Sequence, residues 1–267
     1  MAGRRTVKAA AGSLVVVGVG IGGVHQTTPE ALAHMRQADR LFYLALDPVT
    51  ETWLSSVNPG ASSLYGSYAT GKPRLRSYRE MTARILSAVQ SGQRVCVAFY
   101  GHPGVLVMVT RFAVRAVRRI GRPAHIVPGI SAEALLYADL DVDPGTSGVQ
   151  SFEATDFLLY KRRSDPTSAL ILWQIGVLGE LTLRDVKLPV RADRIEVLVK
   201  RLLRDYPRHH RVVLYEASTF PTRKPIVERV ALSKLPRANI RPMMTMYVPA
   251  LANRAPDPKI AAWFDEP

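Results

Sequence analysis

The stretch SLVVVGVGIGGVHQTTPEAL, residues 13–32, gives the first indication of the fold. It opens on an apolar, β-branched run (13–19), passes through a cluster of glycines and then reaches Thr28 and Pro29. Threonine is a favoured helix N-cap and proline is favoured at the first helical position, so a helix is predicted over 28–38. A strand that turns at glycines and leads into a helix is the first half of a βαβ unit.

The same alternation continues through the first half of the chain. Strand-like runs recur at 40–46, 94–100 and 124–128, and apolar residues at helical spacing recur at 77–92 and 104–121. This order predicts an α/β fold with a parallel or mostly parallel sheet and crossover helices.

The pattern changes after a group of glycines and prolines at 143–148. Four later segments are predicted as strands and one as a helix: 151–159, 168–176, 211–218 and 243–250 as strands, and 191–206 as the helix. We expect a domain junction near 128–131. The expected division is an N-terminal tail (1–12), an N-terminal α/β domain (13–128), a C-terminal α/β domain (129–250) and a C-terminal tail (251–267).

The net charge is strongly positive, since 36 Lys and Arg residues exceed 22 Asp and Glu residues and give +14 at pH 7. The positive residues are scattered, for example around 114–119, 161–163 and 200–211, without a recognition helix or an RNA-binding motif. This favours a basic solvated surface over a nucleic-acid footprint, so no nucleic-acid partner is expected. Attraction of an acidic peptide or a small anionic ligand is a third explanation of the charge.

The single cysteine, Cys96, lies in the strand-like run RVCVAFY and is interpreted as a core thiol. One cysteine cannot form an internal disulfide, so we expect a cytoplasmic protein. No segment is long and apolar enough to span a bilayer, and no membrane partner is expected. The histidines show no metal-ligand spacing, so no metal site is expected either.

The glycines at 18–23 also fit the G-x-G-x-x-G pattern of a nicotinamide dehydrogenase, with Asp47 placed to bind a ribose. That site needs the helix to begin inside the glycine run, so that its amides face the pyrophosphate. Here VHQTT separates the glycines from the helix start at Thr28. The delay argues against a dehydrogenase, and the segment after Asp47 is equally consistent with a turn.

Three motifs in order resemble the tetrapyrrole (corrin and porphyrin) methylase family. They are VVVGVGIGG with TTPEALAHMRQADRLFY, FYGHPGV (99–105) and VPGISAEALLYADL (127–140). The resemblance covers roughly residues 13–250, although Ile21 and Gly23 stand where those methylases usually carry Pro and Asp. It implies a two-domain α/β fold with a mostly parallel N-terminal sheet and a mixed sheet in the C-terminal domain.

Within that family the chain is similar to the borosin peptide backbone α-N-methyltransferases. The motifs that carry this similarity are DPVTE, LYGSYATGKPRLRSYREM, DVDP, FEATDFLL, LWQIG and YVP. It implies methylation of backbone amides of a ribosomally made precursor peptide, with S-adenosylmethionine as the methyl donor. The fungal borosin enzymes continue into their own peptide, whereas this sequence stops at Pro267. The resemblance therefore implies a precursor supplied in trans, a homodimer, and a heterotetramer with the precursor as a further option.

The resemblance also implies residue roles. Cofactor binding is expected from residues of both domains: Tyr100, His102, Val105, Ser131, Ala132, Gln174, Ala217 and Thr245. Gln174, Ala217 and Thr245 are expected in the second domain. Catalysis is expected from Tyr68, Arg74, Tyr78 and Tyr100. Substrate binding is expected from Tyr65, Tyr68, Arg74 and Tyr78. His102 taken alone is interpreted as a turn histidine with a satisfied hydrogen bond rather than as a base.

The stretch LYGSYATGKPRLRSY, residues 64–78, concentrates these phenols and guanidinium groups on a segment whose glycines and proline disfavour a helix. A peptide nitrogen is a poor nucleophile, because its lone pair is delocalised into the carbonyl. Its methylation needs a base for the amide proton and donors for the charge that develops on the carbonyl oxygen. A tyrosine could be that base if Arg74 lowered its pKa. The alternative is that the tyrosines only pack and that Arg74 pairs with a carboxylate.

Two other functions stay open on the sequence. One is a tetrapyrrole C-methyltransferase, whose acidic macrocyclic substrate would suit the charge of +14. The other is a module that binds a peptide and the cofactor without turnover.

Overall fold

The computed structural model describes residues 12–183, 190–251 and 255–264. The described residues form two compact units. The first contains 12–140, 180–183 and 217–225, and the second contains the remainder. The first unit thus continues to Leu140, beyond the junction expected near 128–131. Within the described ranges, no helix is both long enough and apolar enough to cross a membrane.

The first unit is built on a five-stranded sheet in the order β3-β2-β4-β1-β5. Its elements, in chain order, are β1 (Ser13–Gly18), α1 (Pro29–Gln37), β2 (Arg40–Leu44), α2 (Pro48–Val57), β3 (Ala61–Ser63), α3 (Arg74–Gln90), β4 (Arg94–Phe99), α4 (Met108–Arg119), β5 (Ala124–Val127) and α5 (Ala132–Leu140). All four strand pairings are parallel. The predicted parallel sheet with crossover helices is therefore confirmed.

Helices cover both faces of this sheet, which explains why its strands are apolar at consecutive positions. Because side chains alternate along a strand, Leu14 and Val16 of β1 pack in one core with Met81 and Ile85 of α3. Val17 of β1 points to the opposite core, which is completed by α1 and α2. The carboxyl ends of the central strands β4 and β1 lie side by side between these two helical layers.

Side-chain caps begin the first two helices. The predicted N-cap Thr28 accepts a hydrogen bond from Ala31 N at 3.1 Å through its Oγ1. Asp47 accepts from Thr50 N at 2.9 Å and from Thr50 Oγ1 at 2.7 Å, so it caps α2. The segment after Asp47 is a helix and not a turn, since Asp followed by Pro is also a helix-start signal. Because both carboxylate oxygens of Asp47 accept hydrogen bonds from Thr50, this side chain is not placed to bind a ribose, which counts against the dehydrogenase alternative.

The structure corrects the expectation that residues 64–78 hardly form a helix. Residues 65–67 form a 3₁₀ turn, and α3 begins at Arg74, three residues before the predicted start. Pro73 does not break the helix because it precedes the first turn, where its fixed φ is tolerated. Between these turns, Gly71 N donates to Leu183 O at 2.9 Å and Arg74 N donates to Leu181 O at 3.1 Å.

The second unit carries a five-stranded mixed sheet in the order β6-β7-β10-β8-β9, as predicted for that part of the chain. Its elements are α6 (Pro144–Ser147), β6 (Val149–Glu153), α7 (Ala154–Leu159), β7 (Ala169–Trp173), α8 (Ala192–Leu202), β8 (Arg211–Glu216), β9 (Ile226–Ala231), β10 (Thr245–Val248) and α9 (Pro258–Phe264). Only the β6–β7 pairing is parallel among these strands.

Two predictions for this unit are wrong. The segment 151–159 is not one strand, because Glu153 accepts a hydrogen bond from Asp156 N at 2.8 Å and begins α7 there. The expected tail after 251 contains the helix α9. The sequence analysis also missed β9, which forms the antiparallel edge beside β8.

Candidate active site

The turns that follow β1 and β4 are joined to each other through their backbones. Gly101 N donates to Gly20 O at 2.8 Å, and Gly20 N donates to Gly101 O at 3.3 Å. Both glycines have φ of +68°, a conformation that other residues adopt only with strain. In open parallel sheets, ligands bind in the crevice outside the carboxyl ends of the strands. This paired turn lies at that edge.

Two further glycines, Gly18 and Gly129, bring the turn after β5 close to these two turns. A Cβ atom at Gly18 would lie 2.4 Å from Gly101 O and 3.0 Å from the Cα of Gly129. A Cβ at Gly129 would lie 2.7 Å from the Cα of Gly18. The glycines of the first motif therefore allow three backbone segments to approach closely. This explains the glycine run without a dinucleotide site.

Five of the predicted cofactor-binding residues follow the carboxyl ends of β4 and β5 in the first unit. They are Tyr100, His102, Val105, Ser131 and Ala132. His102 Nδ1 accepts a hydrogen bond from Gly104 N at 2.9 Å, which agrees with its interpretation as a turn histidine. Ser131 Oγ accepts from Ala134 N at 3.1 Å, a bond typical of a helix N-cap, and so positions the start of α5.

The other three predicted cofactor-binding residues divide between the units. Gln174 follows β7 in the second unit and has a left-handed backbone, with φ of +60°. Thr245 is the buried first residue of β10. Ala217 was expected in the second domain but belongs to the first unit, because residues 217–225 return to it after β8. The left-handed backbone at Gln174 is uncommon for a residue other than glycine, and such strain clusters at functional sites.

The predicted catalytic tyrosines form a cluster. The ring of Tyr68 lies edge-on to Tyr78, with 6.5 Å between centroids. Tyr68, Tyr78 and Tyr100 are all partly buried against the core under α3 and α4. Within the described residues, none of these three hydroxyl groups forms a hydrogen bond with another side chain or with the backbone. They are free to bind a ligand.

Tyr65 has a different role from the other three. Its ring lies 6.0 Å from that of Tyr68, but its hydroxyl donates to Ala45 O at 2.8 Å. This bond ties the segment to the end of β2. The hydroxyl of Tyr65 is therefore engaged by the protein itself, unlike those of the other three tyrosines.

Arg74 is the first residue of α3, and its Nε is buried without a hydrogen-bond partner. No carboxylate of the described chain forms an ion pair with it. This counts against the alternative in which Arg74 merely balances an acidic residue. A buried, unpaired guanidinium nitrogen needs a partner, and a polar ligand beside the tyrosines would supply one.

Arg74 lowers the pKa of the neighbouring tyrosines, as expected, but this effect is smaller than that of burial. Burial raises the pKa of Tyr68 above its usual value, and the neighbouring Tyr78 adds to the rise, whereas Arg74 opposes it. Burial likewise raises the pKa of Tyr100 to about 12 against the opposing charge of Arg74. At neutral pH both groups are therefore mostly neutral phenols, which donate hydrogen bonds, and only a small phenolate fraction can act as a base.

The sequence analysis missed a polar contact that holds the segment in place. Lys72 Nζ pairs with Glu80 and also donates to Ser67 O at 2.7 Å. It thereby links the 3₁₀ turn at 65–67 to the second turn of α3. The eight-residue separation of Lys72 and Glu80 across a proline gave no helical signal by which to find the pair.

Across the three described ranges, no group of three His, Cys, Asp or Glu side chains is arranged to hold a metal ion. The polar groups described at the carboxyl edge of the first sheet include phenols, backbone amides, one guanidinium, the His102 imidazole and the Ser131 hydroxyl. Such a set can position a substrate and stabilise negative charge on oxygen.

Several curated proteins are similar to this chain. A methyltransferase/ribosomally synthesized cyclic peptide gymnopeptides precursor of Gymnopus fusipes is 37% identical over 90% of this chain and 57% of that protein. A methyltransferase/ribosomally synthesized type I borosin cyclic peptide precursor of Coprinopsis marcescibilis is 36% identical over 96% of this chain and 66% of that protein. The chain thus spans 57% to 66% of the length of these relatives. The resemblance to borosin-type proteins is confirmed.

Solved structures share the fold. A uroporphyrin III C-methyltransferase from Thermus thermophilus superposes with a TM-score of 0.63 at 18% identity, covering 94% of this chain and 100% of that one. Diphthine synthase gives a TM-score of 0.62 at 16% identity, covering 91% of each chain. Residues 13–235 also match the family described as Tetrapyrrole (Corrin/Porphyrin) Methylases. With strand order, glycine turns and sequence in agreement, this chain belongs to the tetrapyrrole (corrin/porphyrin) methylase family.

Proposed function

We propose that this protein transfers methyl groups from S-adenosylmethionine to backbone amide nitrogens of a peptide. The observation that carries the proposal is the group of three unengaged tyrosine hydroxyls beside Arg74, whose buried Nε has no partner. The names of the relatives, which join a methyltransferase to a cyclic peptide precursor, support a peptide as the substrate.

The residues present fit the proposed cofactor. S-adenosylmethionine carries a carboxylate, an ammonium group and ribose hydroxyls, and backbone N–H groups, backbone carbonyls and hydroxyl groups can form hydrogen bonds with them. The glycine turns after β1 and β4 offer main chain without intervening side chains, since a Cβ at Gly101 would meet only Ile21, at 3.5 Å. We propose that these turns hold it together with Ser131, Ala132 and Ala217 of the same unit. The bound cofactor supplies an electrophilic methyl group.

The tyrosines and Arg74 would handle the amide. We propose that Tyr68 and Tyr78 orient the amide and that a phenolate at one of them accepts the N–H proton. Tyr100 Oη would donate to the amide oxygen, and the guanidinium of Arg74 would stabilise the negative charge that forms there. The apolar core behind the rings would keep water from the reacting atoms.

This mechanism predicts a rate that rises with pH. Because burial raises the pKa of Tyr68, only a small fraction is phenolate at neutral pH, and that fraction grows with each added unit. The single-turnover rate should therefore increase about tenfold per pH unit between about pH 7 and pH 9.5, without a plateau. Quenched-flow mass spectrometry at a series of pH values measures it.

The pH range has an upper limit set by stability. A raised tyrosine pKa stabilises the folded state below about pH 10, and this contribution is lost as the pH rises towards the folded-state value. Circular dichroism at each pH would verify that the protein stays folded. A rate that levels off near pH 7 would instead identify a base with an ordinary histidine or carboxylate pKa.

The proposed function is tested by intact mass. The protein is incubated with S-adenosylmethionine and a synthetic peptide that carries the precursor region of one of the relatives, and the peptide is then fragmented. Successive additions of about 14 Da on backbone nitrogens are expected, because a methyl group replaces each amide proton. An unmodified peptide together with methylation of a porphyrinoid would contradict the proposal.

We also propose that the protein acts as a homodimer. Leu75, Val105, Leu106 and Met108 lie at or before the first turns of α3 and α4, and each is 40–49% exposed. Apolar side chains gathered in one part of a surface are typical of an interface. Light scattering on the same preparation should give twice the chain mass, and a monomer mass would contradict the dimer.

A further inference from the structure

The helices α3 and α4 carry a large positive charge. Each contains four arginines, and Glu80 is the single carboxylate of the two helices. Glu80 is already engaged, because it pairs with Lys72 and Arg76. The other arginines of α3 and α4 therefore have no carboxylate partner within these two helices.

Two arginines converge beside α3 in an arrangement that we call the arginine fork, formed by Arg40 and Arg84. Their guanidinium carbons lie 5.3 and 5.5 Å from the ring centroid of Phe42. Both Nη2 atoms approach Ser62 Oγ, at 3.2 and 3.4 Å, and that of Arg84 also donates to Ser63 O at 3.2 Å. Ring stacking and shared hydrogen bonds thus hold two like charges close together.

The arginine fork has no counter-charge in the described part of the chain. Asp39, the neighbour of Arg40, is bonded to Arg94 at 2.7 Å. The pocket around the fork measures about 510 Å³ and contains no carboxylate among its lining residues, which are Arg40, Phe42, Ala83, Arg84, Ser87 and Ala88. Two fixed guanidinium groups without an acid favour an anion between them.

A groove between the two helices continues this surface. The α3–α4 groove measures about 470 Å³ and is lined by Arg79, Thr82, Ala83, Leu86, Phe112, Arg115, Ala116 and Arg119. Leu86, Phe112 and Ala116 are its apolar lining, and three arginines provide its charge. Ala83 is exposed and borders both the groove and the fork pocket, so the two form one surface.

We propose that this surface binds an acidic, amphipathic polypeptide segment. Carboxylates of the segment pair with the arginine fork and with the arginines of the α3–α4 groove, and its apolar side chains pack on Leu86 and Phe112. Amphipathic helices bind apolar grooves in this way, and arginine pairs carboxylates in a bidentate geometry.

The composition of the surface selects this occupant over two others. A nucleic acid contacts proteins largely through phosphates and sugars, and it would leave the apolar lining of the groove without a partner. A second copy of the same face would bring its arginines against those of the first, and like charges oppose such contact. An acidic segment with apolar residues complements both features.

The identity of the segment rests on the proposed function: it would be a part of the methylated peptide's own chain outside the reacting residues. The residues that line the surface do not include Tyr68, Arg74, Tyr78 or Tyr100. Binding can therefore be measured without methyl donor and without turnover.

The test uses the full chain and a fluorescein-labelled, 20-residue helical peptide of glutamate and leucine, followed by fluorescence anisotropy. A peptide with lysine in place of glutamate and a labelled oligothymidylate serve as comparison probes. We expect saturable binding of the glutamate–leucine peptide that weakens as salt is added, because the contacts are ionic. Equal or tighter binding of the oligothymidylate would overturn the proposal in favour of nucleic acid.

Matched variants locate the site. Ala83→Glu places a carboxylate between the fork and the groove and should weaken binding about tenfold or more, whereas the similarly sized Ala83→Gln should stay close to the unmodified protein. Arg40→Gln with Arg84→Gln should also weaken it. Arg204→Gln with Arg208→Gln removes the same charge from exposed positions of the second unit and should change affinity less than twofold.

The outcomes separate this inference from the proposed function. Equal weakening by both arginine pairs, or no effect of Ala83→Glu, would overturn the docking surface even if a peptide is methylated. Localised binding without any methylated peptide would keep the docking surface and overturn the proposed activity.

Discussion

Replacing Arg74 by alanine should slow methyl transfer by about two to three orders of magnitude and leave cofactor binding unchanged. The guanidinium has no carboxylate partner in the described chain, and its Nε is buried without a hydrogen bond. In the mechanism that we propose, its charge is available to the oxygen of the reacting amide. Loss of one such group lowers turnover by about 10²- to 10³-fold in other enzymes that stabilise an oxyanion. Single-turnover mass spectrometry measures the rate, and titration calorimetry measures cofactor affinity.

Tyr68→Phe should also slow methyl transfer and leave cofactor binding unchanged, because it removes a hydroxyl that forms no hydrogen bond with another described group. Tyr65→Phe is the matched control. It removes a phenol from the same segment, but one whose hydroxyl is bonded to Ala45 O. Turnover in that variant should stay within a few-fold of the unmodified protein. Retained turnover in both Arg74→Ala and Tyr68→Phe would contradict the assigned roles and leave the tyrosine segment a packing element.

Gly18→Ala should destabilise the first unit and weaken cofactor binding together. The added Cβ would lie 2.4 Å from Gly101 O, and backbone cannot move aside as a flexible side chain can. Overpacking of this kind destabilises proteins by about 1–3 kcal/mol, and a rigid contact places this site at the upper end. For a chain of this size, each kcal/mol lowers the melting temperature by about 2–4 °C. Thermal denaturation followed by circular dichroism measures the change.

Gly66→Ala is the control for Gly18→Ala. It makes the same chemical change in the tyrosine segment, where an added Cβ would meet no atom within 4 Å. Its melting temperature should stay within a degree or two of the unmodified value. If the Gly18→Ala and Gly66→Ala variants had the same melting temperature, and Gly18→Ala bound the cofactor normally, the close approach of the three turns would not constrain the site.

The central sheet of the first unit could be predicted because its strands are buried on both faces and are therefore apolar at successive positions. The sequence-based prediction failed for elements whose local sequence favours a different conformation from the one that the tertiary structure imposes. β3 spans only Ala61–Ser63, which is too short to show a strand pattern in the sequence. Its pairing with β2 is what holds it in the extended conformation. The start of α2 was ambiguous because Asp47 and the proline after it fit a turn as well as an N-cap.

The tyrosines and Arg74 could be identified from their residue types and from their resemblance to a known motif. The direction in which the pKa of Tyr68 and Tyr100 shifts could not be predicted in this way. Proximity to a guanidinium argues for a lowered pKa, yet the depth of burial determines whether that charge dominates. For Tyr100, burial outweighs Arg74, and a sequence does not reveal how deeply a side chain on a glycine turn is buried.

The paired turn at Gly20 and Gly101 restricts how homologous chains can diverge. Its two hydrogen bonds use main-chain atoms alone, so a neighbour such as Ile21 can be exchanged for another residue without loss of the bonds. Insertions and deletions are a different matter, because one extra residue in either turn would shift every donor out of register with its acceptor. Length variation among relatives should therefore occur in other connections of the fold, while the residues of these two loops other than the glycines vary in composition at fixed length.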